Sequence, residues 1–213
     1  MKGGGRTTGG SDKAHTGRSL NFSDNSREVI DSISAPYDKA IRADFEIGMT
    51  FDDYTSGSSE INDVARFGKL QTRSWNSNNV DDWKEAIKYL DKAIDKMPRL
   101  SRNVDMFRAS HTLGDFSLNG KSVSDIKKYI GRTFTDKGYT SFSMDRNVAK
   151  GLSGKNDFII VFKAKAGQKG VSLANTSAYN TMERQEEFLT SRGTSFTILG
   201  AKTINGQKYL FVR

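Results

Sequence analysis

Residues 182–196 read MERQEEFLTSRGTSF, a segment with the apolar positions of a β-strand that opens on three closely spaced glutamates. The glutamates are Glu183, Glu186 and Glu187. An exposed edge strand carries such residues as solvated side chains, and this is the simplest interpretation of the cluster. A catalytic interpretation requires partner residues elsewhere in the chain, and the upstream sequence contains candidates.

The composition excludes several kinds of site. The chain has 213 residues and a formal net charge of +8. This basic surplus suits nucleic acid, an anionic membrane surface or an anionic substrate such as a dinucleotide, and it does not choose among them. The absence of cysteine excludes disulfides, cysteine zinc sites and thiol nucleophiles. The two histidines, His15 and His111, are isolated, so we expect no bound metal.

The sequence divides into a short leading segment and one domain. Residues 1–25 are Gly, Ser, Thr and charged residues with almost nothing to bury, which predicts a flexible tail or linker. Residues 26–213 have the length and the aromatic content of a single folded domain. No secretory signal is predicted, because no apolar segment follows the first lysine. No apolar run approaches the ~20 residues of a membrane-spanning helix.

Helical patterns occupy the first half of the chain. Residues 26–45 and 80–97 place apolar side chains at helical spacing. A further helix is predicted to begin near Ser58 or Ser59, whose hydroxyls suit an N-cap, and to end at Gly68.

Strand patterns dominate from residue 104 onward. The segments there are short, β-branched or aromatic, and separated by Gly, Asn and Asp. Asn205 and Gly206 form a strong hairpin signal between the last two segments. Helices followed by strands indicate an α+β fold with a mixed or antiparallel β-core. The predicted strands lie within residues 104–110, 138–144, 157–165, 186–191, 195–204 and 208–213.

Four ordered elements carry residue types suited to chemistry. The first is YTSGSSEINDVAR at residues 54–66, and the second is MFRAS at 106–110, with an arginine inside a strand pattern. The third is GYTSFS at 138–143, a Ser-x-Ser behind an aromatic, and the fourth is QEEFL at 185–189. In this order and rough spacing they resemble the bacterial ADP-ribosyltransferases of the Arg–Ser–Glu type. That family includes the clostridial Rho-modifying exoenzymes and the enzymatic chains of actin-modifying binary toxins.

The resemblance implies two packed sheets and a site that uses NAD⁺ as co-substrate. Cleavage of the nicotinamide–ribose bond builds positive charge on the ribose, and a nearby carboxylate stabilises that charge. By resemblance Glu187 supplies the carboxylate, Ser141 orients it, and Gln185 faces the incoming nucleophile. A guanidinium fork suits the pyrophosphate better than an ammonium group does, and by resemblance Arg66 and Arg108 supply these forks. The resemblance also places Arg108 among the catalytic residues. The implied dinucleotide contacts are Thr55, Asn62, Arg66, Arg108, Ser141 and Ser143.

Two positions depart from the family pattern, and two others bear on the target. Ala109 replaces the glycine that often follows the arginine, and Phe142 replaces the middle threonine of Ser-Thr-Ser. Gln-x-Glu, rather than Glu-x-Glu, goes with asparagine or other non-arginine acceptors in the family. Tyr179 lies where relatives often place an aromatic residue that touches the target.

Structural interpretations compete at several of these positions. Arg108 would also suit an ion pair with Asp105, and Asn62 and Arg66, one turn apart, would suit a solvated helix face. Glu183 and Glu186 both lie close enough to Gln185 to contest its role.

The predicted function is transfer of ADP-ribose from NAD⁺ to a side chain of a host or target-cell protein. The protein would be soluble, act as a delivered toxin or effector or as a phage protein, and work in the cytoplasm of the target cell. With water as acceptor, the same site would make an NAD⁺ glycohydrolase. A basic nucleic-acid-binding or phage structural protein is the third interpretation, which the lack of a basic helix or an exposed aromatic ladder disfavours.

Overall fold

A computed structural model describes residues 20–71, 79–154, 157–174 and 185–213. Helices come first along this chain and strands follow, so the predicted α+β order is confirmed. In the part of the chain that the structure describes, no helix has the length and apolarity needed to cross a membrane. The helices are α1 (Arg27–Ala43), α2 (Phe45–Phe67), α3 (Val80–Lys96), α4 (Val123–Ile126) and α5 (Arg146–Gly151).

Helix α2 begins at Phe45, more than three helical turns before the predicted start near Ser58 or Ser59. Asp44 caps it by accepting from the N–H of Ile47, and the helix runs through both serines to the left-handed Gly68. The backbone of Gly57 is not helical and kinks α2 there, so a second helical segment begins next to the predicted start at Ser58, and the segment before the kink is the part that the sequence did not predict. A Cβ at Gly57 would lie 2.9 Å from the Trp83 ring of α3, so the glycine permits close packing of the two helices there.

Helix α3 matches its prediction. Asn79 and Asp82 form a capping box at its start, which satisfies backbone N–H groups that lack partners within the helix. The apolar face is buried against α2 and the sheet, and it consists of Trp83, Ile87, Leu90, Ala93 and Ile94.

Ten strands follow in the described ranges, and each predicted strand segment overlaps one of them. The last two form the predicted hairpin, in which Asn205 and Gly206 both have positive φ, at 50° and 80°, as a two-residue type I′ turn requires. The strands are β1 (Val104–Ser110), β2 (Thr112–Leu113), β3 (Phe116–Ser117), β4 (Thr133–Thr135), β5 (Thr140–Ser143), β6 (Phe158–Ala164), β7 (Gly170–Ser172), β8 (Glu187–Thr190), β9 (Ser195–Ile204) and β10 (Gln207–Val212).

Eight of the strands form one hydrogen-bonded series in the order β4-β9-β10-β6-β1-β5-β8-β7, and β2 pairs with β3. All neighbouring pairs are antiparallel except β6 and β10, which makes the sheet mixed. In a flat sheet β5 and β9, four strands apart, would be separated by about 19 Å. The rings of Phe142 on β5 and Phe196 on β9 are only 5.7 Å apart. The sheet therefore curls until its two halves pack against each other, and these halves form the two layers that the family resemblance implies.

The chain before α1 packs on the outer face of the sheet. The Phe22 ring lies 5.1 Å from the ring of Tyr209 and 5.7 Å from that of Phe107. The Ser23 N–H donates to the carboxylate of Asp105 at 2.9 Å. Residues 20–25 thus belong to the packed part of the chain, although the sequence assigns them to the leading segment.

Candidate active site

Three predicted catalytic residues lie on adjacent strands. Arg108 is on β1, Ser141 on β5 and Glu187 on β8, and these strands are neighbours in the sheet. Arg108 Nη1 donates to the Ser141 carbonyl at 2.9 Å, and Glu187 lies directly opposite Ser143 in the strand register. Antiparallel pairing thus brings together residues that are 33 and 46 positions apart in the sequence.

The charges of this group are held in a cleft. Arg108 and Glu187 keep some solvent contact but are enclosed on most sides by protein. Burial raises the pKa of Glu187, while the Ser141 side chain and the positive charge of Arg108 oppose the rise. Burial likewise lowers the pKa of Arg108. Both charged forms are therefore less stable here than in water, which is typical of groups that await a ligand or a transition state.

Tyr54 joins this group, although the sequence analysis did not assign it a role. The residue is buried, and its hydroxyl lies 3.4 Å from both the Ser141 hydroxyl and the Asn62 amide nitrogen. Burial raises the pKa of Tyr54, and the charge of Glu187 adds to the rise. Its position next to Thr55 in the first motif was the available signal, since both residues precede the Asn62 to Arg66 turn of the helix.

Arg66 is brought to the same cleft but is engaged by the protein. Its Nε and Nη2 donate to the two carboxylate oxygens of Asp136 at 2.8 and 2.9 Å, and Nη2 also donates to the Tyr139 carbonyl. Burial disfavours its charge, but Asp136 outweighs this effect and the pKa of Arg66 is raised. The Asp136 carboxylate accepts two further hydrogen bonds, from the Gly138 N–H and the Thr140 hydroxyl. The pKa of Asp136 is therefore lowered in spite of burial.

Asn62 fastens the same wall of the cleft. Its amide oxygen accepts from the Tyr139 N–H at 2.7 Å, so the helix is tied to the loop before β5. A Cβ at Gly138 would lie 2.5 Å from that oxygen and 2.8 Å from Nε of Arg66. A side chain at this position would therefore displace Asn62 or Arg66 from its hydrogen bonds.

The other predicted site residues differ in their hydrogen bonds and exposure. The Thr55 hydroxyl donates to the Asp52 carbonyl within α2, and the buried Ser143 hydroxyl donates to the Gln185 carbonyl at 2.6 Å. Gln185 itself is exposed, at the entrance to β8. Tyr179 lies outside the described residues.

Two glutamates of the cluster, Glu186 and Glu187, have different surroundings. Glu186 is 4% exposed and forms an ion pair with Arg27 of α1, so its carboxylate does not face the cleft. Glu187 is surrounded by Ser141, Arg108 and Tyr54. Glu183 lies outside the described residues.

A cavity of about 190 Å³ lies inside the curl of the sheet, and both Arg66 and Arg108 line it together with Phe142. No carboxylate in the described ranges forms an ion pair with Arg108. An unpaired guanidinium beside an apolar wall suits an anionic dinucleotide. A larger cavity of about 320 Å³ between α1 and α2 contains none of the predicted site residues.

Comparisons with known proteins identify the family and the fold of the chain. The sequence model of the ADP-ribosyltransferase exoenzyme family matches residues 48–213. No curated protein matches the chain in sequence. Several solved structures share the fold, among them an ADP-ribosyltransferase from Clostridium botulinum. It is 19% identical, with 90% of this chain and 98% of that chain covered and a TM-score of 0.69.

Two further structures illustrate the range of similar proteins. C3stau2 from S. aureus, solved with NAD, is 17% identical, with 88% of this chain and 94% of that chain covered and a TM-score of 0.68. The ADP-ribosyltransferase toxin Plx2a from Paenibacillus larvae is 24% identical, with coverages of 84% and 89% and a TM-score of 0.62. Identities this low establish a shared fold, whereas the family match spans most of the chain. The chain therefore belongs to the ADP-ribosyltransferase exoenzyme family and is an NAD-dependent ADP-ribosyltransferase.

Proposed function

We propose that this enzyme transfers ADP-ribose from NAD⁺ to a side chain of a target-cell protein, as a delivered toxin or effector. The observation that carries the proposal is the group formed by Arg108, Ser141 and Glu187. It combines a carboxylate and a guanidinium, each with a pKa shifted by burial, and the guanidinium lines a cavity.

Glu187 is the proposed stabiliser of the reacting ribose. The bond between ribose C1′ and the nicotinamide nitrogen breaks, and its electron pair leaves with nicotinamide. The positive charge that develops on the ribose needs a fixed negative group at close range. An ionised Glu187, whose charge is poorly solvated in the cleft, supplies more stabilisation than a solvated carboxylate would.

Arg108 is the proposed anchor for the pyrophosphate, because its guanidinium lacks a carboxylate partner in the described part of the chain. The hydroxyls of Ser141 and Tyr54 would orient Glu187 and the nicotinamide ribose. Asn62 and Arg66 bond mainly to the protein, so we assign them chiefly to shaping the cleft wall.

Gln185 is the proposed acceptor-facing residue. It is exposed and stands two residues before Glu187, as the Gln-x-Glu pattern requires. The acceptor nucleophile attacks C1′ and loses a proton, which gives the ADP-ribosylated protein, nicotinamide and H⁺. A neutral amide at this position favours asparagine or another non-arginine acceptor.

Nicotinamide release from NAD⁺ tests the proposal, with and without a lysate of candidate target cells. Glu187→Gln should lose turnover by about 10²–10³-fold, the usual cost of removing one electrostatic stabiliser of a transition state. Glu85→Gln, on the exposed face of α3, is the matched control and should retain full activity. Equal turnover in wild type and Glu187→Gln would remove Glu187 from the site. Free ADP-ribose without labelled protein would identify a glycohydrolase instead.

A further inference from the structure

Glu186 and Glu187 are consecutive but have opposite surroundings. Glu187 lies at the start of β8 and belongs to the cleft, whereas Glu186 is 4% exposed and sits beneath the first turn of α1. The backbone of Glu186 has φ 46°, one of two non-glycine residues with positive φ in the described ranges. A glutamate in this conformation persists only where its surroundings hold it, and such residues concentrate at functional sites.

The side chain of Glu186 is held by Arg27. One carboxylate oxygen, Oε1, forms an ion pair with Arg27 Nη1, while Oε2 is buried without a hydrogen-bond partner in the described part of the chain. A buried carboxylate with a single partner depends heavily on that partner. Arg27 also pairs with Asp31 at 2.8 Å, one turn further along the helix.

The main chain connects the same two segments. The Met144 N–H donates to the Glu186 carbonyl at 2.8 Å, and the Met144 carbonyl accepts from the Asn25 side chain at 2.7 Å. Farther along α1 the Tyr37 ring packs edge-on to Phe188 of β8. The start of α1 and the turn before β8 are therefore joined by the Arg27–Glu186 ion pair and through the backbone of Met144, and a ring contact links α1 to β8 itself.

We propose that Arg27 is a positioning residue for the transfer step, which holds the Gln185–Glu187 turn so that Gln185 meets the acceptor. The inference rests on the proposed function. Arg27 precedes residue 48, where the family match begins, so it supplies this contact from outside the matched region.

Loss of Arg27 should affect Gln185 more than Glu187. Glu187 is anchored by β-pairing, with its register opposite Ser143 and its carbonyl accepting from the Leu173 N–H at 2.9 Å. Gln185 lies outside the strand and is tied by its carbonyl to the Ser143 hydroxyl. A loosened turn therefore leaves nicotinamide release largely intact while it misplaces the acceptor-facing side chain, so that water competes better for the ribose.

The test compares Arg27→Ala with wild type in one reaction that reports both nicotinamide release and protein labelling. The ratio of labelled protein to nicotinamide should fall about tenfold, because small misplacements of reacting groups are costly. Asp31→Asn is the matched control, since it removes the other carboxylate partner of Arg27 and leaves Glu186 paired; its ratio should equal that of wild type. Arg27→Lys, which keeps the charge, should restore part of the ratio.

Amide hydrogen exchange at Met144 supplies a readout that needs no acceptor. Its N–H should exchange faster in Arg27→Ala and at the wild-type rate in Asp31→Asn. An unchanged ratio with unchanged exchange, or an equal loss of nicotinamide release and labelling, would overturn the inference. A wild type that releases nicotinamide but labels no protein would overturn the proposed transfer and this inference with it. A wild type that releases none would refute the proposed chemistry, and Met144 exchange would still decide whether Arg27 holds the turn.

Discussion

Arg66 and Arg108 line the same cavity, one from helix α2 and one from strand β1, but only Arg66 forms an ion pair with a carboxylate in the described ranges. Asp136 binds Arg66 through two hydrogen bonds, and the pKa of Arg66 is raised. Arg108 donates to a single backbone carbonyl, and burial lowers its pKa. From the sequence, both arginines are predicted to bind the pyrophosphate as forks.

The difference teaches how to separate a structural arginine from a binding arginine. A guanidinium with a saturated carboxylate partner has little to gain from a phosphate, because binding would compete with existing bonds. A buried guanidinium to which no carboxylate is hydrogen-bonded gains most when an anion binds. On this criterion Arg108 is the residue to which the dinucleotide should bind, and Arg66 is part of the wall that keeps the cavity open.

The largest effect on stability is expected from Arg66→Met. Removal of the guanidinium leaves the nearly buried Asp136 carboxylate without its main partner, so the free energy of unfolding should fall by about 3 kcal/mol. Urea unfolding at constant m value measures the loss. The double variant Arg66→Met/Asp136→Asn should recover more than half of it, because the unpaired charge is gone. A loss below about 0.5 kcal/mol in the single variant would place the pair among ordinary surface ion pairs.

The next effect concerns activity rather than stability. Arg108→Lys should lower kcat/KM for nicotinamide release by about 100-fold, which is ~2.7 kcal/mol, because a point charge cannot reproduce a two-pronged contact. Its unfolding free energy should stay near that of wild type, since no carboxylate loses a partner. The assignment of Arg108 to binding and Arg66 to structure would be wrong if Arg108→Lys lost as much unfolding free energy as Arg66→Met while it retained its activity.

Much of the fold could be predicted from local patterns. The Asn205–Gly206 hairpin and the strand Ser195–Ile204 follow from turn chemistry and from β-branched and aromatic composition, both of which act over a few residues. The start of α2 could not be predicted in this way. Gly57, followed by two serines, predicts a helix start and does mark a kink between two helical segments, but the segment before the kink is helical as well and buries Phe51 and Tyr54.

The site was predictable only where the order of motifs carries information. Arg108, Ser141 and Glu187 stand on strands whose pairing brings them together, so their order along the chain is informative. The pairing of Arg66 with Asp136 joins residues 70 positions apart on elements of different type, and no periodicity signals it. Positive φ at Glu186 likewise arises from tertiary contacts and leaves no mark in the sequence.

The pH dependence of stability should have opposite signs at two carboxylates of the cleft. The pKa of Asp136 is lowered by folding, so its contribution is complete above the pKa of an unfolded aspartate and is lost as pH falls through the lower folded value. The pKa of Glu187 is raised, so its charge costs stability above that raised value and the cost disappears as pH falls below the pKa of an unfolded glutamate.

Unfolding measurements from neutral to acidic pH check this prediction. Asp136→Asn should flatten the acidic loss of stability, whereas Glu187→Gln should steepen it slightly and raise stability at neutral pH. Nicotinamide release should decline on the acidic side at a pH above the ordinary glutamate value, because the role proposed for Glu187 requires its ionised form and its pKa is raised. An acidic limb at the ordinary value would mean that the bound substrate solvates Glu187 as well as water does.

The smallest effect is expected from Tyr54→Phe. The hydroxyl lies at 3.4 Å from Ser141 and from Asn62, long distances for hydrogen bonds, so its removal should cost about 1 kcal/mol or less in either stability or turnover. Measurement of both quantities separates two roles: a hydroxyl that only links α2 to β5 would lower stability, while one that orients Ser141 for catalysis would lower kcat with an unchanged free energy of unfolding. A fall in kcat alone would assign Tyr54 a functional role, as proposed for Arg108. A fall in stability alone would assign it a structural role in the cleft wall, as proposed for Arg66.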